Sequence, residues 1–218
     1  MATKPNCLIV ASASAEGVSA RSFVNSFTLT TSAFNVQLAT PSGQAVEYIN
    51  VDESSKRWLT DFASKPYSTP AKLENCDPSR YSVLLIPSGP GAVFDLATDQ
   101  SLAHIITQFV AEQKPICAVG MGVCALCCAM DPESRWRLKG YSLTAPPTME
   151  LAKQVLFPKL PLLPEDFIRE QGGSFSSNFT DGNHVVIDRH VITGQNDLST
   201  LTAVQNLILL GNARQAKK

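Results

Sequence analysis

The chain has 218 residues, 18 of them basic and 19 acidic, for a formal net charge of −1. Hydrophobic residues make up 44% and charged residues 17%, which excludes a disordered chain and gives enough apolar material for one well-buried core, while two full domains would be cramped. No stretch approaches the roughly 20 apolar residues of a membrane span, and the even mixture of charge gives no footprint for direct nucleic-acid binding; the one basic concentration is the tail, where Arg214 sits near Lys217 and Lys218.

Strand and helix patterns alternate along the chain. Cys7 to Ala11 is a short apolar run, read as a first strand rather than as the core of a signal peptide. Ser19 to Ser32 carries Ala20, Phe23, Val24 and Phe27 at helical spacing, and Asn35 to Ala39 is a second strand closed by the turn Thr40-Pro41-Ser42-Gly43. Val83 to Ile86 is a buried strand ending at Pro87, and Leu102, Ile105, Ile106 and Phe109 form one face of a helix. Pro115 opens the strand Ile116 to Val119, followed by a glycine-flanked turn and a helix from Val123 to Met130. A strand is expected near Tyr141 to Thr144, with short helices over Thr148 to Val155 and Glu165 to Glu170. Val185 to Ile187 and Val191 to Thr193 read as a hairpin around Asp188-Arg189-His190, and Asn196 or Asp197 caps a last helix from about Leu198 to Leu210. This order predicts a single α/β domain over residues 1–218: three layers, doubly wound, with a mostly parallel, flavodoxin-like sheet and helices on both faces.

Six cysteines are present: Cys7, Cys76, Cys117, Cys124, Cys127 and Cys128. Four fall within twelve residues, which is not the spread of a secreted disulfide framework and points to a reducing compartment, so a cytoplasmic location is expected. Cys124 and Cys127 form a lone C-x-x-C with no further ligands at suitable spacing, and none of His104, His184 and His190 completes a metal set, so neither a metal nor another cofactor is expected.

Chemistry in an open α/β sheet belongs beyond the carboxyl ends of its strands. The segment from Lys114 to Leu126 has the strand-turn-helix form of a nucleophile elbow, its tip at Gly120-Met121-Gly122. Four blocks in order, Leu38 to Gly43, Tyr81 to Ala92, Lys114 to Leu126 and His184 to Asn196, resemble the ThiJ/PfpI superfamily of class I glutamine amidotransferase-like proteins, most closely its heat-shock-chaperone and glyoxalase branch. The active members read Ala-Val-Cys-His-Gly at the elbow, and this chain reads Ala118-Val119-Gly120-Met121-Gly122. The resemblance therefore implies that the nucleophile is replaced by Gly120 and its neighbouring histidine by Met121. The family glutamate that meets the cysteine falls at Ser22, or at Glu16 if a gap intervenes. The family's Pro-Gly-Gly-His-Gly becomes Pro87-Ser88-Gly89-Pro90-Gly91, in which Pro90 offers no N–H but Gly89 and Gly91 do. Glu16, Ser88, Gly89, Gly91, Gly120 and Met121 are thus the expected lining of a vestigial pocket.

Three functional readings follow. The resemblance implies a non-catalytic binding or assembly subunit, a homodimer or higher homo-oligomer. Its vertebrate branch further implies protein partners in an early-endosomal complex linked to Rab-type GTPases and RNA transport. A second reading is a thiol-dependent hydrolase or glyoxalase-like enzyme whose nucleophile has moved to Cys124, one α-helical turn from Gly120, or to Cys117; against it stands the habit of free cysteines to act as small core residues. A third is a metabolite sensor holding an anion on the Gly89, Gly91 and elbow amides. Glu16 is either a pocket acid or a turn residue. His184 and His190 with Asp188 are either a base pair or a solvated hairpin tip, and Thr193 to Asn196 is a turn and cap that can also line the pocket.

Overall fold

The computed structural model describes residues 4–180 and 182–216. Lys217 and Lys218 of the basic tail, and the first three residues of the domain as drawn from sequence, lie outside the described residues.

In chain order the elements are β1 (Asn6–Val10), β2 (Val18–Ser19), α1 (Ala20–Ala33), β3 (Asn35–Thr40), β4 (Tyr48–Ile49), α2 (Glu53–Ala63), β5 (Ala71–Lys72), β6 (Val83–Ile86), α3 (Ala92–Asp95), α4 (Gln100–Ala111) and β7 (Ile116–Val119). A 3₁₀ helix over Gly120–Cys128 follows, then β8 (Ser142–Leu143), α5 (Thr148–Leu151), α6 (Pro164–Glu170), β9 (Ser174–Phe175), β10 (Val185–Asp188), β11 (Val191–Gly194) and α7 (Thr200–Gln215). The main sheet has the order β10-β11-β7-β6-β1-β3-β5. Every pairing in it is parallel except β10 with β11, the expected hairpin.

Alternation along the central strands divides the core. Leu8 and Val10 of β1, Leu84 and Ile86 of β6 and Ala118 of β7 pack with Leu102, Ile105, Ile106 and Phe109 of α4. Cys7 and Ile9, Val83 and Leu85, and Cys117 and Val119 face the other way, onto Phe23 and Phe27 of α1 and Ala203, Val204 and Leu207 of α7. The two-residue period sends neighbouring side chains to opposite faces, and helices on both faces keep each dry. Burying each large aliphatic or phenyl group contributes about 1.5–3 kcal/mol.

Two regions depart most from the sequence pattern. The pattern marks no element between residues 44 and 80, yet β4, α2 and β5 lie there, α2 capped by Asp52, whose carboxylate accepts from Ser55 N at 2.7 Å while the Asp52 N–H donates to Ser55 Oγ. Its apolar stripe is only Trp58, Leu59 and Phe62, which join Phe23 and Phe27 of α1 in an aromatic layer. The second departure is the elbow helix. It is a 3₁₀ run from Gly120 to Cys128, not an α-helix from Val123 to Met130, and all nine of its residues are buried. At three residues per turn, side chains three apart eclipse. Met121 and Cys124 accordingly share one cluster, while Val123 and Leu126 share another. The α-helical turn that would set Cys124 on the face of Gly120 does not form.

Candidate functional site

The carboxyl ends of β6, β7 and β11 converge on one cavity of about 410 Å³, lined by Ser88, Met121, Asn196 and Asp197 from the turns after those strands and by Ser19, Ile49, Pro90 and Glu150 among others. This is the location that a doubly wound sheet reserves for ligands.

Gly120 forms the tip of the elbow. Its φ is +55°, in the left-handed region where a Cβ is costly and glycine is not. A Cβ built there would stand 2.2 Å from Ser88 Oγ and 2.9 Å from Ser88 Cβ. Thus the Ser88 side chain fills the space where an elbow side chain would begin. Ser88 is held by its backbone: its N–H donates to Ser22 Oγ at 3.0 Å, and its carbonyl accepts from Ser19 N at 2.9 Å. Ser22 Oγ also meets Thr200 Oγ1 at 3.0 Å. Of the two positions open for the family glutamate, Ser22 is the one hydrogen-bonded to Ser88, the residue packed against Gly120.

Glu16 does not reach the cavity. Its carboxylate accepts from the Ser14 hydroxyl, and that bond holds it below the usual carboxylate range. Nor do Gly89 and Gly91 face the cavity. A Cβ on Gly89 would lie 2.6 Å from Val18 Cα, and one on Gly91 would lie 2.3 Å from Ser12 Oγ, so both glycines serve close packing on the loop after β1. The Gly91 N–H donates to Gly17 O at 3.0 Å, which occupies the donor that an anion would need. Of the six pocket residues drawn from the sequence, then, Ser88 and Met121 form cavity wall, Gly120 lies behind Ser88, and Glu16, Gly89 and Gly91 are elsewhere.

All six cysteines are buried and free. Cys124 is fully buried, and desolvation pushes its thiol up to about 12. Burial likewise raises Cys117 and Cys127, and lifts Cys128 to about 12. A reactive thiol needs the opposite shift.

The hairpin histidines form no acid–base pair with Asp188. Asp188 pairs with Arg189, whose guanidinium holds the carboxyl low, and it also accepts from Ser142 N at 2.7 Å. His184 Nε2 meets Ser176 Oγ at 3.0 Å. His190 is not the solvated tip residue expected; it is buried edge-on to Tyr141, and its Nε2 finds no partner among the described residues. Desolvation, then Arg189 and Arg214, lower its pKa against a small opposing pull from Asp188. Among the described residues no three His, Cys, Asp or Glu side chains are grouped to hold a metal, and no helix is long and apolar enough to cross a membrane.

The cavity's charged members escaped the sequence reading. Glu150, on α5, is buried, and its Oε2 accepts from Gln195 Nε2 at 2.9 Å. Gln195 is itself fully buried, and its Oε1 accepts from Asn178 N at 2.8 Å. Asp197 accepts from the Ser19 hydroxyl. Asn196 lines the cavity, and its Oδ1 accepts from Leu198 N, but the element it caps is a 3₁₀ turn over Asp197–Ser199; the N-cap of α7 itself is Ser199, which makes no side-chain cap bond. The available signal was Thr193 to Asp197, a polar turn after a buried strand.

Comparison with solved structures defines the class. The fold superposes on Francisella tularensis rapid encystment protein (TM-score 0.84, 18% identity, 95% of this chain and 99% of that one) and Candida albicans glyoxalase III (0.82, 17%, 94% and 97%). It also superposes on a ThiJ/PfpI domain protein of Brachyspira murdochii (0.70, 13%, 97% and 99%). The architecture is thus the α/β fold of the ThiJ/PfpI proteins. At the level of sequence no family model matches, but the glutamine amidotransferase-like class 1 domain-containing protein 1 of Xenopus laevis is 55% identical over 213 residues, covering 98% of this chain and 93% of that protein. The protein of the same name from Homo sapiens is 53% identical over 212 residues, covering 97% and 96%. The chain belongs to the glutamine amidotransferase-like class 1 domain-containing protein 1 family.

Proposed function

We propose that this protein is a non-catalytic member of its fold, working as a binding or assembly subunit. The observation that carries the reading is Gly120: a left-handed elbow residue with no side chain, its missing Cβ replaced in space by the Ser88 side chain. Activation of a nucleophile at an elbow requires an atom there to activate. The fully buried thiol of Cys124 is no substitute, because burial favours its protonated form. These features favour assembly over a displaced-thiol hydrolase or glyoxalase-like activity; the likeness to glyoxalase III is a likeness of fold.

By resemblance, the assembly is an early-endosomal complex linked to Rab-type GTPases and RNA transport, which the protein enters from the cytoplasm as a homodimer or higher oligomer. Fractionation of native lysate by size, with chemical crosslinking of the peak, tests this. The protein should migrate in a species several times its own 23.5 kDa mass and crosslink to other chains. Elution solely as a free monomer or dimer would overturn the proposal.

A further inference from the structure

The cavity at the strand ends differs in charge from an anion site. Its lining among the described residues has two carboxylates, Glu150 and Asp197, and no lysine, arginine or histidine. Glu150 Oε2 accepts from Gln195, and no hydrogen bond among the described residues reaches Oε1. Ser88 is 7% exposed, and its hydroxyl makes no hydrogen bond to the described residues although it lines the cavity. The Ser88 oxygen is not sealed in the core but open to the cavity, where it is free to accept a donor. The remaining wall includes Ile49, Pro90 and Met121, which suit an alkyl stem. Carboxylates in a concave, partly apolar site concentrate cations and repel anions. An ammonium group supplies three donors and no acceptor, matching Glu150, Asp197 and the Ser88 oxygen.

We infer that this cavity binds an alkylammonium group, its charge at Glu150 and Asp197 and its stem against Met121 and Ile49. Two sources share that chemistry: a free small amine and a lysine side chain of another protein. The inference goes beyond the assembly reading and stands without it.

Isothermal titration of the native protein at fixed ionic strength tests it, with hexylammonium, hexanoate and hexanol as matched probes and Nα-acetyl-lysine methylamide as the lysine mimic. Hexylammonium or the lysine mimic should give a saturable one-to-one isotherm at least tenfold tighter than hexanoate and hexanol. Whichever amine binds tighter identifies the source. Glu150→Gln keeps the acceptor for Gln195, and Asp197→Asn keeps one for Ser19; each should weaken amine binding at least tenfold without changing the far-ultraviolet spectrum. If either variant misfolds, the other serves, and the comparison of hexylammonium with hexanoate needs no variant. The inference is overturned if hexanoate matches the amines, if no isotherm develops at millimolar amine, or if folded Glu150→Gln and Asp197→Asn bind like the parent. Amine binding by a protein that elutes only as a free monomer would sink the assembly reading and leave this inference in place; a large complex without amine binding would do the reverse.

Discussion

Placing a cysteine at the elbow should be costly in a specific and reversible way. Gly120→Cys places a Cβ in left-handed backbone, a penalty of about 1–2 kcal/mol. That Cβ also lies 2.2 Å from Ser88 Oγ and 2.9 Å from Ser88 Cβ, an overpacking of about 1–3 kcal/mol, because Ser88 is tied at both its N–H and its carbonyl and cannot back away. The sum, about 2–5 kcal/mol, is a large part of the ~5–15 kcal/mol that holds an ordinary domain together. Ser88→Gly removes the obstructing atoms and should return the overpacking share. Urea denaturation of the parent, Gly120→Cys, Ser88→Gly and the double variant gives the coupling directly. A favourable coupling of at least about 1 kcal/mol is expected in the double variant, given the size of the clash. Additive effects would mean that Ser88 does not occupy the elbow, and the structural reason for calling the site vacant would fail.

Gly91→Ala and Gly89→Ala should each lower stability by about 1–3 kcal/mol through overpacking, since the new methyl meets Ser12 Oγ at 2.3 Å in one and Val18 Cα at 2.6 Å in the other; thermal melts check both. Phe109→Ala should cost about 3–5 kcal/mol as a cavity mutation beneath the sheet. His190 binds its proton less readily folded than unfolded, so the unfolded state takes up the proton first as pH falls. The stability from this residue is present above the ordinary histidine pKa of about 6.5 and is lost as pH drops below it. Urea midpoints between pH 8 and 5 should fall less in His190→Phe than in the parent; equal slopes would contradict the burial argument.

The strands of the central sheet were legible because their periodicity is unambiguous. Val83–Ile86 and Ile116–Val119 are short apolar runs between turn residues, and the structure places both strands at those residues. The helix α2 was not legible, because three apolar residues among charged ones make a weak stripe and its capping box uses Ser55 where glutamate is the usual signal. The elbow could be located from sequence but its helix type could not: a fully buried nine-residue segment has no polar face to mark its period. The cavity suffered most. Ser88 and Met121 lie next to the elbow turns and were found, whereas Glu150 comes from a turn-rich region and reaches the site only by tertiary folding. Gly89 and Gly91 looked like ligand-facing amides but answer a packing demand from the loop after β1, a distinction that needs coordinates.

The measurement that bears most directly on the central claim, a fold without its nucleophile, is site-resolved alkylation of the native protein by iodoacetamide at neutral pH, read by mass spectrometry. With every thiol buried, and with Cys7, Cys76, Cys117, Cys124, Cys127 and Cys128 all raised by desolvation, each should label more slowly than a free thiol and react fully only on unfolding. A single cysteine labelling faster than free thiol in the folded protein, Cys124 above all, would contradict the account and establish a reactive centre.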